Sequence, residues 1–345
     1  MADTIDAALD LLHHTGPEFG GGLSNHGPMA AEAMLAMGRP DAILSWVERY
    51  QSRLPERPTP AAPIARAHWR EALGDLKRLA DWIAFFDREL ADARWPDVVH
   101  HWVPHLIPGL MAASTHGLIR TSHAVRCLGR GETAQRRHEL AEGLGYWAAC
   151  YQQLPGGPSG TDAGWSPRQA LAHVRRLHGP DFRAQGVIHK AVQGLDADPS
   201  FAQAIDLVSA HGDLAYFLSE LTALSASMYL AHSSDLIAFV HAVTAPSALR
   251  LLLPYLAEAE ARLAARYAWQ ACAALYAWYA TTSTPFLTAR EPITESHDTL
   301  IDRAIATGGA HTIKFTEACL SEYAINPQPV YLVAARDIAE RVGDR

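Results

Sequence analysis

The chain has 345 residues, 49% hydrophobic and 19% charged, a balance that excludes a disordered polymer and leaves room for one large domain or two ordinary ones. A formal charge of -8 without any basic run argues against nucleic acid or an anionic membrane as partner. Cys127, Cys150, Cys272 and Cys319 form no CxxC or CxxCH, which excludes a cysteine zinc site and attached haem and fits a reduced cytoplasm.

From the N-terminus onward, Met1 to Asp10 carries Asp3, Asp6 and Asp10 and no basic segment, so no signal peptide is expected. Apolar residues then recur at helical period. They predict helices near 28–37, 41–53, 66–90, 97–107, 110–129, 133–153, 166–178, 183–194, 199–210, 213–232, 235–256, 257–281, 297–306, 309–324 and 329–341. Gly27-Pro28 and Ser166-Pro167 open two of these with proline in the first turn, and Gly38 closes the first. The stretches 54–63 and 154–167 are loops by their proline, glycine and serine content, and the second is read as a surface loop rather than a domain boundary. The longest uncharged apolar run, Tyr267 to Ala280, is short for a bilayer span. The expectation is an all-α, single-domain multi-helix bundle, soluble and cytoplasmic, with a histidine-rich central pocket.

Chemistry concentrates in two residue types. Only three lysines stand against twenty-six arginines, and Lys314 follows His311 by three residues, on the same helical face. Where arginine serves almost every cationic need, a retained lysine suggests a need for an amine that can lose its proton. Eighteen histidines is a heavy load for this length. His13, His14, His68, His138, His173, His178, His189, His211, His232 and His297 neighbour charged or loop residues and are expected to be solvated. His100, His101 and His105 lack the glutamate of an HExxH site and are expected to line core or pocket. His26, His116, His123, His241 and His311 sit in apolar or glycine-flanked settings. One such histidine is ordinarily a core residue, but several on different helices resemble the way bundles build metal sites. Neutral imidazoles suit iron, zinc or copper, and an oxygen ligand beside them favours iron. An unprotonated Lys314 can add carbon dioxide and, as a carbamate, present such oxygens.

Four blocks carry a family resemblance: Asn25-His26-Gly27-Pro28, Thr115-His116-Gly117-Leu118-Ile119-Arg120, Phe239-Val240-His241-Ala242-Val243-Thr244 and Ala310-His311-Thr312-Ile313-Lys314. In this order they resemble the questin oxidase-like family, from about Gly16 to Tyr323. The resemblance implies an all-helical oxidoreductase that opens a ring of an anthraquinone-like aromatic polyketide, a small-molecule substrate, with Fe(II) and molecular oxygen. It implies His26, His116, His241, His311 and carboxylated Lys314 as metal ligands and catalytic centre. His123, Arg120, Asn25 and Thr115 are expected to support the ligands or touch the substrate, with Asn25 and Thr115 orienting imidazoles and Arg120 either holding a substrate oxyanion or pairing with a buried carboxylate. Trp102, Phe239, Tyr255, Trp269, Tyr276 and Tyr279 are either walls for a polycycle or core packing. The alternatives are a metal-free or NADPH-dependent Baeyer–Villiger-type monooxygenase and a non-catalytic helical binding protein. Substrate identity, mono- versus dioxygenation and oligomeric state stay open.

Overall fold

A computed structural model describes residues 3–20, 22–232, 235–281 and 293–343. It is all-α as expected: among the described residues the only sheet is a two-residue hairpin, β1 (Glu18–Phe19) paired antiparallel with β2 (Leu23–Ser24). Backbone contacts divide the chain into two compact units, residues 1–153 with 251–257, and residues 154–250 with 258–345. The division falls where the glycine- and proline-rich 154–167 segment begins.

The first unit contains α1 (Thr4–Leu12), α2 (Gly27–Ala36), α3 (Ile43–Gln51), α4 (Leu79–Asp92), α5 (Trp95–Leu106), α6 (His116–Gly129) and α7 (Ala134–Ala149). α7 packs against both α4 and α6, while α2 lies against α6, α1 and α3. The α4 sequence shows why: Leu79, Trp82, Ile83, Phe86 and Leu90 recur at three- and four-residue steps and are all buried. Glycine sets how near the helices come. A β-carbon on Gly117 of α6 would lie 2.7 Å from the Trp147 Cα of α7, and one on Gly145 of α7 would lie 3.0 Å from the Ile83 backbone of α4.

The second unit contains α8 (Pro167–Leu171), α9 (Ile188–Ala191), α10 (Leu214–Ala231), α11 (Leu236–Leu249), α12 (Glu258–Tyr279), α13 (His297–Ala306), α14 (Ala310–Ile325) and α15 (Pro329–Gly343). α11 packs against α10, α12 and α14, and α15 lies against α10, α13 and α14. Asp213 caps α10 by accepting the Ala215 and Tyr216 amides. The stretches Leu214–Ala231 and Leu236–Tyr255 are long and apolar enough to cross a bilayer on composition alone, yet most of each is buried within the fold, as core helices are.

Several expected helices are shorter or broken. Residues 66–90 begin as the 3-10 turns Arg66–Ala72 and Leu76–Arg78 before α4, because Gly74 adopts φ +77° between them. Residues 110–115 form a turn with Ala113, Ser114 and Thr115 all at positive φ, so α6 starts only at His116. The expected helices at 166–178, 183–194 and 199–210 reduce to α8, α9 and the short 3-10 turns Val192–Ala197 and Phe201–Asp206, with Gly179-Pro180 and Gly186 in the irregular stretch between α8 and α9. α1, in contrast, was not anticipated.

Candidate functional site

In the first unit the Asn25-His26-Gly27-Pro28 block is a helix entry. Pro28 occupies the first turn of α2 and His26 its N-cap. The Asn25 side chain accepts the Gly27 amide at 2.9 Å and donates to the Gly16 carbonyl at 3.1 Å and Thr15 Oγ1 at 3.2 Å, so it braces the turn itself. Gly27 is small because any β-carbon there would meet Leu12. The His26 amide donates to the Tyr50 hydroxyl at 2.8 Å. These contacts aim the buried His26 ring so that its Nε2 faces His116 Nε2 at 2.8 Å.

His116 is set by the unusual turn before it. Three consecutive non-glycine residues with φ of 47°, 61° and 70° cost about 1–2 kcal/mol each. The turn brings the Ala113 carbonyl 2.6 Å from His116 Nδ1. A carbonyl only accepts, so Nδ1 carries the proton and Nε2 presents its lone pair toward His26. Local backbone strain that fixes a ring's tautomer is the kind of strain that accumulates at functional sites.

One helical turn further on, Arg120 is 3% exposed and donates to Glu139 at 2.6 and 2.8 Å and to Glu142 at 3.2 Å. Its guanidinium is thus paired with two buried carboxylates. Burial favours the neutral form of Glu142, but Arg120, His138 and Arg57 overcome it and hold the carboxyl down at about 2. Burial prevails at Glu139 and raises its pKa despite Arg120. Two turns beyond His116, His123 Nδ1 lies 2.7 Å from Glu32 Oε2, and Arg126 also pairs with that carboxylate. Thr115 is fully buried at the head of α6, in left-handed backbone.

In the second unit His241 on α11 is 1% exposed and its ring lies 5.4 Å, centroid to centroid, from that of His311 on α14. His311 stands in the first turn of α14, with its Nε2 enclosed. Lys314, one turn on, is 2% exposed. Burial lowers the Lys314 amine to about 7. Burial and then Lys314 lower His311 to about 3, and burial, His311 and Lys314 depress His241 well below the ordinary imidazole range. Both imidazoles are therefore neutral at physiological pH, the form that binds metal.

Other expectations need correction. His232, expected to be solvated, is buried: its Nδ1 lies 2.7 Å from the Met228 carbonyl and its ring stacks on Phe239. His13 and His138 are half-buried and stacked edge to face at 3.8 Å, with His138 Nδ1 2.7 Å from Asp87. Trp102 and Trp269 are packing residues whose indoles donate to Glu89 and the Ala204 carbonyl. Sequence reasoning missed Glu32, Tyr50, Glu139 and Glu142. Glu32 had a signal, as the lone charge in the apolar helix Met29-Ala30-Ala31-Glu32-Ala33-Met34.

Comparison with known proteins gives one family: the sequence model described as Questin oxidase-like matches residues 23–319, a span containing all four quoted blocks. No curated protein matches the chain.

Proposed function

The chain belongs to the questin oxidase-like family, and from that membership we propose that it is an Fe(II)-dependent oxygenase that opens a ring of an anthraquinone-like aromatic polyketide. We further propose His26, His116, His241, His311 and Lys314 as its metal ligands, with Lys314 carboxylated.

The observation that carries this reading is the facing pair in the first unit. Two buried imidazole nitrogens 2.8 Å apart, one of them fixed as a lone-pair donor by the Ala113 carbonyl, form a donor set suited to a cation. The neutral His241 and His311 rings suit the same role. Lys314, held near 7, has an unprotonated fraction at neutral pH, which carbon dioxide addition requires. The amine nitrogen then bonds to the carbon of carbon dioxide, a C=O electron pair moves onto oxygen and the nitrogen releases a proton to solvent, giving a carbamate whose anionic oxygen is the donor. Ferrous iron favours a set of imidazoles completed by such an oxygen.

When bound, iron would supply the electrons and the coordination position for using dioxygen. The chain's own residues provide the surroundings. Ala113 holds the proton on His116 Nδ1, and Tyr50 accepts the His26 amide, so neither ring turns away from its facing partner. Burial of His26, His116, His241 and Lys314 keeps bulk water from these donors.

Anaerobic purification followed by metal quantitation tests the reading, together with oxygen-18 labelling on candidate anthraquinones. About one iron per chain and labelled ring-opened product are expected, with both lost in His116→Ala and His241→Ala while helix content stays. Turnover by metal-free protein, with or without NADPH, would instead establish the Baeyer–Villiger-type alternative.

A further inference from the structure

We propose that His123, backed by Glu32, is a general base that removes the proton from a phenolic hydroxyl of the substrate. This rests on the functional reading above and names a catalytic residue for it. α2 and α6 run parallel, because His26 meets His116 at their starts and Glu32 meets His123 further along. Six residues on α2 and seven on α6, at 1.5 Å per residue, separate the two pairs by about 10 Å along the helices. That separation is on the order of the length of a three-ring polycycle, so in this reading one end of the substrate meets the His26–His116 pair and a hydroxyl at the other meets His123.

The geometry of the dyad is that of a base with an orienting carboxylate. Glu32 is 2% exposed, and although burial favours its neutral form, Arg126 and His123 hold it ionised with a pKa of about 2. An ionised carboxylate only accepts, so His123 Nδ1 carries a proton toward Oε2 at 2.7 Å. Nε2 then bears the lone pair. It has no hydrogen-bond partner among the described residues, and His123 as a whole is 6% exposed. The groups facing this ring are Glu32 from α2 and Arg126 from α6 itself. On the α7 side of α6 the charges are matched elsewhere, Glu139 and Glu142 by Arg120, and Arg136 by Asp6.

In the step, the phenolic O–H bond breaks and its electron pair stays on oxygen. The N–H bond forms at Nε2, and the imidazolium is held against the Glu32 carboxylate. The phenolate is more electron-rich than the phenol and more readily oxidised.

The test reads this proton directly. 2-Hydroxyanthraquinone, whose hydroxyl is remote from the ketones and cannot chelate a metal, is bound anaerobically to the iron-loaded protein and its phenolate absorbance is titrated with pH. The midpoint should lie about one pH unit lower on the wild type than on His123→Ala. Iron content should be equal in both, and imidazole should restore the shift in the variant. His123→Ala retains the Glu32–Arg126 pair, so folding is protected, and Glu32→Gln should show a smaller shift of the same sign. An unchanged midpoint in His123→Ala, with iron and turnover intact, overturns the dyad alone. Wild-type protein that turns over without iron overturns the proposed function as well.

Discussion

Lys314 is the residue at which charge and chemistry give opposite forecasts. A buried lysine that serves only as a cation is replaceable by arginine, whereas a carbamate cannot form on a guanidinium, which stays protonated. Lys314→Arg should therefore lose most bound iron and all measurable ring opening. Lys314→Ala should recover part of both when formate or bicarbonate is added, because these anions can occupy the vacated oxygen position. Near wild-type turnover in Lys314→Arg would show that the amine is never carboxylated. Lys314 and the four histidines were visible in the sequence because each sits in a short local block. Side-chain pairings across the fold were not. Glu32 and His123 lie 91 positions apart, so no local pattern links them. Asn25 was expected to orient an imidazole, and instead braces the backbone that carries one.

At the scale of elements, the start and packing of α6 decide where His116 stands. Helical periodicity ran through residues 110–115 because their side chains are compatible with a helix, and nothing in Ala113-Ser114-Thr115 announces left-handed backbone. The turn becomes intelligible only through the Ala113 carbonyl that meets His116 Nδ1. Gly117 marks the close approach of α7: Trp147 Cα leaves no room for a β-carbon. Gly117→Ala should cost about 1–3 kcal/mol by overpacking, more than the roughly 1 kcal/mol that alanine returns in helix propensity. Gly129, in the same helix with nothing within 4 Å of its absent β-carbon, supplies the control. Thermal melts should show Gly117→Ala destabilised and Gly129→Ala unchanged or slightly stabilised. Equal behaviour of the two would mean that the α6–α7 crossing has slack.

At the scale of the molecule, the first unit joins its helices through ionic contacts as well as apolar packing, and this gives stability a definite pH dependence. Folding places His13 at about 4, chiefly by burial and then by His138, against 6.5 when unfolded. This group's folded pKa is depressed, so the unfolded chain binds its proton first and stability is lost as pH falls from 6.5 to 4. Glu32 and Glu142 are depressed from 4.5 to about 2, so their contribution is present above 4.5 and disappears as pH falls toward 2. His138 acts in the opposite sense. Burial lowers its affinity for the proton, but Asp87 and Glu142 outweigh that and raise it to about 9, so its contribution is complete below 6.5 and fades as pH rises through 9. Within the first unit these contributions are greatest near pH 6.5, fade toward pH 9, and are lost in acid through His13 before Glu32 and Glu142 titrate; in the second unit His311, at about 3, adds to the acid loss below 6.5, and Lys314, at about 7 against 10.5 unfolded, adds stability as pH rises from 7 to 10.5. The acid limb separates the causes. His13→Gln should lessen the decline between pH 6.5 and 4.5, leaving the share of the buried His241 and His311 and the steeper loss below 4.5, measured as denaturation midpoints across pH on metal-free protein. An unaltered upper limb in His13→Gln would move the origin of acid sensitivity away from the His13–His138 pair.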